Sequence, residues 1–127
     1  MRIIAHGIDL VEVSRIAEML ERHGERFKER VFTAAEMQHA EGKRRESEHL
    51  AARFAAKEAV FKALGTGWSG GVAWTDVEVV RLPSGQPSLK VTGRAAEIAA
   101  QLGIREWHIS ITHTDAHAMA SVIAAGE

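Results

Sequence analysis

The chain has no cysteine. That excludes disulfides and thiolate-ligated zinc. It also lacks any apolar run long enough to span a bilayer as a helix. The start, MRIIAHGIDLVEV, has no basic leader, long apolar stretch or small-residue cleavage site, and it reads as a strand instead. Excess charge is missing too, since the formal net charge is only −1. No long-range field recruits a polyanion or an anionic membrane, so neither nucleic acid nor membrane is expected as a partner. The expected compartment is the cytoplasm. What remains is a chain of 127 residues, 46% of them hydrophobic, which suits one domain with a real core.

Hydrophobic spacing divides the chain into short elements. Arg2 to Ile8 reads as a strand with Asp9 at its end, and a helix begins within the next few residues. Val13, Ile16, Ala17 and Leu20 recur at helical spacing on the core side of that helix, and Gly24 ends or breaks it. A second short helix falls between Arg30 and Gly42, with Thr33 as N-cap and Glu36 three residues on. The charged stretch Glu41 to Glu48 leads to a central helix capped by Ser47 and running to about Leu64. Gly65 to Gly71 is a flexible connection. Two strands, Asp76 to Leu82 and Ser88 to Thr92, flank the turn Pro83-Ser84-Gly85-Gln86-Pro87. Arg94 to Leu102 is a short helix closed by Gly103. Trp107 to Thr112 and Ala118 to Ala124 make a last pair of strands around Thr114-Asp115-Ala116. The order predicts an α+β fold, an antiparallel sheet packed against helices.

Three constellations carry possible chemistry. The central helix, RFAAKEAVFKAL, is apolar almost all round yet holds Glu58 and Lys62 at i, i+4. A helix apolar on every side is normally buried, and ionisable groups there often mark a site. Asp9 either caps the next helix or reaches a cleft from the strand. If Asp9 and Glu58 converge, they form a hard-oxygen site suited to Mg²⁺ and substrate phosphates. His108, His113 and His117 do not share a strand face, which argues against a three-histidine zinc site; His113 alone, at a strand end, suits a phosphate. Arg15, Met19, Arg22 and Arg26 follow one helix face if the helix persists past Gly24, with Phe27 close by. That stripe is either a solvated face, with Glu18 pairing Arg22, or a dock for an acidic partner.

The motifs GIDLVEVSRI, RFAAKEAVFKALGTG and HISITHTDAHAMASVI occur in this order across nearly the whole chain. Together they resemble the short 4'-phosphopantetheinyl transferases, the holo-[acyl-carrier-protein] synthases of bacterial fatty-acid synthesis. The resemblance implies transfer of phosphopantetheine from coenzyme A to a serine of an acyl carrier protein, releasing adenosine 3',5'-bisphosphate. It implies a trimer with active sites between subunits, which would explain a central helix apolar on most sides. It assigns Mg²⁺ to Asp9 and Glu58, and the phosphates to Lys62. It puts Arg53, Gly65, Thr66, Gly67, His113 and Thr114 on the coenzyme A side. Carrier docking falls to the first helix, on Arg15, Met19, Arg22, Arg26 and Phe27. Glu58, Asp9 or a metal-bound water would take the serine proton, and Glu58 is preferred because it stands beside Lys62. The sequence departs from the family at Ala5, where a second glycine is common. Roles for Lys43, Arg44 and Arg45 at the 3'-phosphate rest on a variable loop. A carrier from polyketide or peptide synthesis is the main alternative substrate. A fold kept for binding alone would not need Asp9, Glu58 and Lys62.

Overall fold

The computed structural model describes residues 1–40, 42 and 45–127. Strand β1 (Arg2–Glu12) leads into helix α1 (Val13–His23), and α2 (Glu25–Val31), α3 (Ala34–Ala40) and the 19-residue α4 (Glu46–Leu64) follow. A single 3-10 turn, Trp74–Asp76, precedes the hairpin β2 (Val77–Arg81) and β3 (Pro87–Val91). Helix α5 (Gly93–Gln101) then connects to β4 (Ile104–His113) and β5 (His117–Gly126). The main sheet has the order β1-β5-β4, antiparallel throughout, and β2-β3 forms its own two-stranded sheet. The expected α+β class is therefore the observed one.

Small side chains decide how close the layers come. On β5 the inward row is Ala118, Ala120, Val122 and Ala124, all fully buried. It meets the alanines of α4, among them Ala55 and Ala59, also fully buried. β1 approaches α4 most closely at Gly7, where an added Cβ would sit 1.9 Å from the Ala59 carbonyl oxygen. Only a residue without a Cβ allows this crossing.

Several local expectations need correction. β1 runs on to Glu12 because its residues keep pairing with β5, with Asp9 opposite Ala120 and Glu12 opposite His117. Asp9 thus lies inside a strand and caps nothing. Gly24, at φ +48°, breaks the helical run, and α2 begins on a new axis immediately after it. The stripe from Arg15 to Arg26 is consequently not one continuous helix face. Ser47 does not cap α4; Arg45 holds the N-cap position, with no side-chain capping bond. The capping box of α3 does form: Thr33 N–H donates to Glu36 at 3.0 Å, and Glu36 N–H donates to the Thr33 hydroxyl at 3.3 Å.

Helix α4 is buried within the single chain, between the β1–β5 layer and a second layer of α1, α3 and β2. Its all-round apolar character is thus explained without any neighbouring subunit. The buried ionisable groups of α4 are also not the expected pair. Lys57 is 0% exposed and Arg53 3% exposed, whereas Glu58 is half-buried and Lys62 is exposed.

Candidate active site

β1 and α4 together build the polar cleft. Side chains of β1 alternate, so Gly7, Asp9 and Val11 face α4, and Gly7 brings the strand close enough for Asp9 to reach the helix. The Lys62 ammonium donates to Asp9 Oδ1 at 3.0 Å and to the Ile8 carbonyl at 2.9 Å. Glu58 stands one helical turn before Lys62. Its carboxyl holds its proton above the ordinary carboxylate range, first because it is partly desolvated and next because Asp9 is near. Lys62 and Arg15 pull in the opposite direction more weakly. Asp9, Glu58, Lys62 and Arg15 therefore share one electrostatic neighbourhood, which the sequence left open.

Two neighbouring carboxylates fit a hard divalent cation, since Mg²⁺ commonly takes one or two protein carboxylates and completes its shell with water and phosphate oxygens. Among the described residues, no group of three or more histidines, aspartates or glutamates comes together as a metal cluster. A pair of carboxylates leaves most of such a cation's shell to water and phosphate oxygens.

The residues expected on the coenzyme A side do not all converge in one chain. Gly65 closes α4 in the left-handed region at φ +77°, and Gly67 follows at φ +54°. An added Cβ at either would meet nothing within 4 Å, so this backbone is open to a ligand. Thr66 shares the turn, its N–H bonded to the Phe61 carbonyl at 3.2 Å. His113 instead sits at the end of β4, its Nδ1 3.2 Å from Glu48 Oε1. Arg45 approaches Glu48 at 3.5 Å and Asp115 at 3.7 Å, which completes a small network with Glu48 buried and Arg45 and Asp115 exposed. Ten residues of α4, about 15 Å of helix axis, separate Glu48 from Glu58. The Thr114 hydroxyl accepts from Ala116 N–H and His117 N–H and shapes the β4–β5 turn. Arg53 is nine residues before Lys62, on the opposite side of α4, and donates to the His49 carbonyl at 3.1 Å. Lys43 and Arg44 lie outside the described residues.

Beside Arg15 an apolar groove of about 250 Å³ opens. Its floor is Phe54, Ile16 and Phe27, Trp68 and Trp74 form one wall, and Arg15 and Arg30 stand at the rim. Met19 and Phe27 also line an adjoining open groove of about 440 Å³ with His23, Arg26 and Arg30. Met19 is half-buried, and Phe27 belongs to the core, 6% exposed. Arg22 is exposed on α1 but lines neither groove. Sequence reasoning placed Arg30 beside the basic stripe but missed Trp68 and Trp74. Two tryptophans close together, in a chain with 6% aromatic residues, were the available signal.

Residues 5–119 match the sequence profile of the 4'-phosphopantetheinyl transferase superfamily. The chain belongs to this superfamily. It is 50% identical to the holo-[acyl-carrier-protein] synthase of Koribacter versatilis over 121 residues, covering 95% of this chain and 97% of that one. Among solved structures it is similar to the holo-(acyl-carrier-protein) synthase of Bacillus anthracis in complex with CoA (3',5'-ADP). That protein is 35% identical, with a TM-score of 0.81 over 98% of both chains. The synthase of Neisseria meningitidis superimposes with a TM-score of 0.88 at 28% identity, covering 98% of this chain and 99% of that one. Superfamily, fold and the order of the three motifs therefore agree.

Proposed function

We propose that this chain transfers 4'-phosphopantetheine from coenzyme A to a serine of an apo-acyl carrier protein, and so serves fatty-acid synthesis. The observation that carries the reading is the meeting of Asp9, Glu58 and Lys62 beside an open glycine turn, in a chain half identical to a holo-[acyl-carrier-protein] synthase. The carrier serine oxygen attacks the phosphorus that bears the pantetheine arm. The bond from that phosphorus to the bridging oxygen breaks, and adenosine 3',5'-bisphosphate leaves. Glu58 accepts the serine proton, directly or through water. Lys62 neutralises charge on the pyrophosphate oxygens, and the Gly65-Thr66-Gly67 backbone lies alongside. Mg²⁺ would be held by Asp9 and Glu58, and when bound it supplies charge neutralisation to the pyrophosphate.

Carrier docking falls on the groove between α1, α2 and Trp68, whose arginine rim suits an acidic protein and whose floor suits an apolar side chain. Arg15 stands at that rim and within reach of Glu58, so a carrier seated there presents its serine to the base. The cytoplasm is the compartment this reaction implies.

A homotrimer is supported by the outer face of the main sheet. Ile8 is 50% exposed, Leu10 63% and Met119 37%, and the register puts them side by side. His6 and Ser121 on the same face share a 2.9 Å hydrogen bond. The distance from Glu58 to the His113–Glu48 network fits an active site assembled from two subunits.

Coenzyme A labelled in one half or the other tests the reaction. Label in the pantetheine half is expected on the carrier, and label in the adenosine half is expected in free nucleotide. Adenosine label on the carrier would refute the assigned bond cleavage.

A further inference from the structure

The Lys57 ammonium has no contact with solvent, yet its bonding is complete. It sits 2.8 Å from Glu36 Oε1 and 3.1 Å from the Trp74 carbonyl oxygen, and it also donates to the Val77 carbonyl. Three acceptors satisfy its three protons. They come from α3 and from the segment that opens β2, so one side chain of α4 ties three elements. Glu36 is equally tied, since its other oxygen accepts Val79 N–H at 2.8 Å and its Oε1 also accepts Thr33 N–H. Burial favours the neutral form of Lys57, and Glu36 opposes this. A buried ion pair is seldom the most stable filling for such a space; apolar residues of similar volume often do as well or better. What a bonded ammonium fixes is geometry.

The geometry it fixes belongs to the groove. Trp74, whose carbonyl Lys57 holds, stacks on Phe54 with ring centroids 5.0 Å apart and meets Trp68 edge-on at 5.2 Å. Those three rings form part of the floor and one wall of the groove beside Arg15.

We infer that Lys57, with Glu36, is a positioning residue that sets the tryptophan wall of the carrier groove and so governs recognition of the carrier rather than of coenzyme A. The inference rests on the carrier-docking reading of that groove. In steady-state transfer, Lys57→Met is expected to raise KM for the apo-carrier about tenfold, with KM for coenzyme A within about twofold. The near-ultraviolet circular dichroism of the tryptophan cluster should fall in parallel. Lys57→Met leaves Glu36 unpaired; if it does not fold, Lys57→Met with Glu36→Met removes both charges and carries the same expectation. Trp74→Leu alone should raise the carrier KM similarly, and combining it with Lys57→Met should add little. An unchanged carrier KM in a folded variant would overturn the inference. So would a parallel rise in both KM values, or additive effects of Lys57→Met and Trp74→Leu. A native chain that modifies no carrier would refute the transferase reading instead.

Discussion

Gly7→Ala is the sharpest perturbation of the cleft, because it touches no charged group and adds one methyl. The new Cβ would stand 1.9 Å from the Ala59 carbonyl oxygen, 2.9 Å from its carbon and 3.1 Å from the Ala63 nitrogen. All three are backbone atoms of α4, so no side chain can swing aside. The oxygen contact alone must open from 1.9 Å to at least 3.0 Å. Either β1 lifts from the helix or the helix shifts against β5, whose inward alanines are already fully buried. Overpacking usually costs about 1–3 kcal/mol where side chains can adjust, and here the upper end or more is expected. The same displacement carries Asp9 away from Lys62 and Glu58, so turnover should fall further than the lost stability explains. Urea unfolding gives the first quantity, and transfer measured well below the unfolding transition gives the second. A variant within about 0.5 kcal/mol of the parent and fully active would refute the close crossing.

Glu58→Gln should abolish transfer without loss of fold. Because burial and Asp9 raise the proton affinity of Glu58 in the folded state, its charged form opposes folding at neutral pH. In metal-free buffer the variant should match or exceed the parent in stability at pH 7. That advantage should shrink as pH falls through the raised Glu58 value, where the parent becomes protonated; thermal unfolding across pH checks it, and a variant clearly less stable at neutral pH would contradict it. Arg15→Glu with Arg22→Glu should weaken carrier binding by about tenfold or more and leave coenzyme A binding nearly unchanged. With Arg22 outside both grooves, Arg15→Glu alone should account for most of the loss; titration of each ligand decides, and equal loss for both ligands would sink the docking assignment. Excess chelator should stop turnover, and added Mg²⁺ should restore it. Full activity in chelator would remove the metal from Asp9 and Glu58.

Much of this molecule can be read from its sequence because local rules and tertiary packing agree. The PSGQP turn gives the β2–β3 hairpin, Thr33 and Glu36 give the capping box, and the alanine-rich run gives α4. The orientation of α4 is the main thing periodicity cannot supply. A helix apolar on all sides has no polar face to mark its solvent side, so Glu58 and Lys62 read as buried. The buried pair is Lys57 and Glu36, satisfied by the Trp74 and Val77 carbonyls from the segment after the helix. The outer residues of β1, such as Leu10, are apolar and exposed, which blurs the alternation and hides the strand's full length. The break at Gly24 was visible as a residue, but its left-handed backbone, which separates α1 from α2, was not.

The proposed reaction is a covalent transfer that needs a carrier, coenzyme A and a metal together. Intact-protein mass spectrometry of an apo-acyl carrier protein incubated with this chain, coenzyme A and Mg²⁺ measures it directly. A gain of one phosphopantetheine on the carrier, absent with Glu58→Gln and absent in chelator, is the expected result. An unmodified carrier, with folded enzyme and several carriers tried, would contradict the assignment of Asp9, Glu58 and Lys62 to phosphopantetheine transfer.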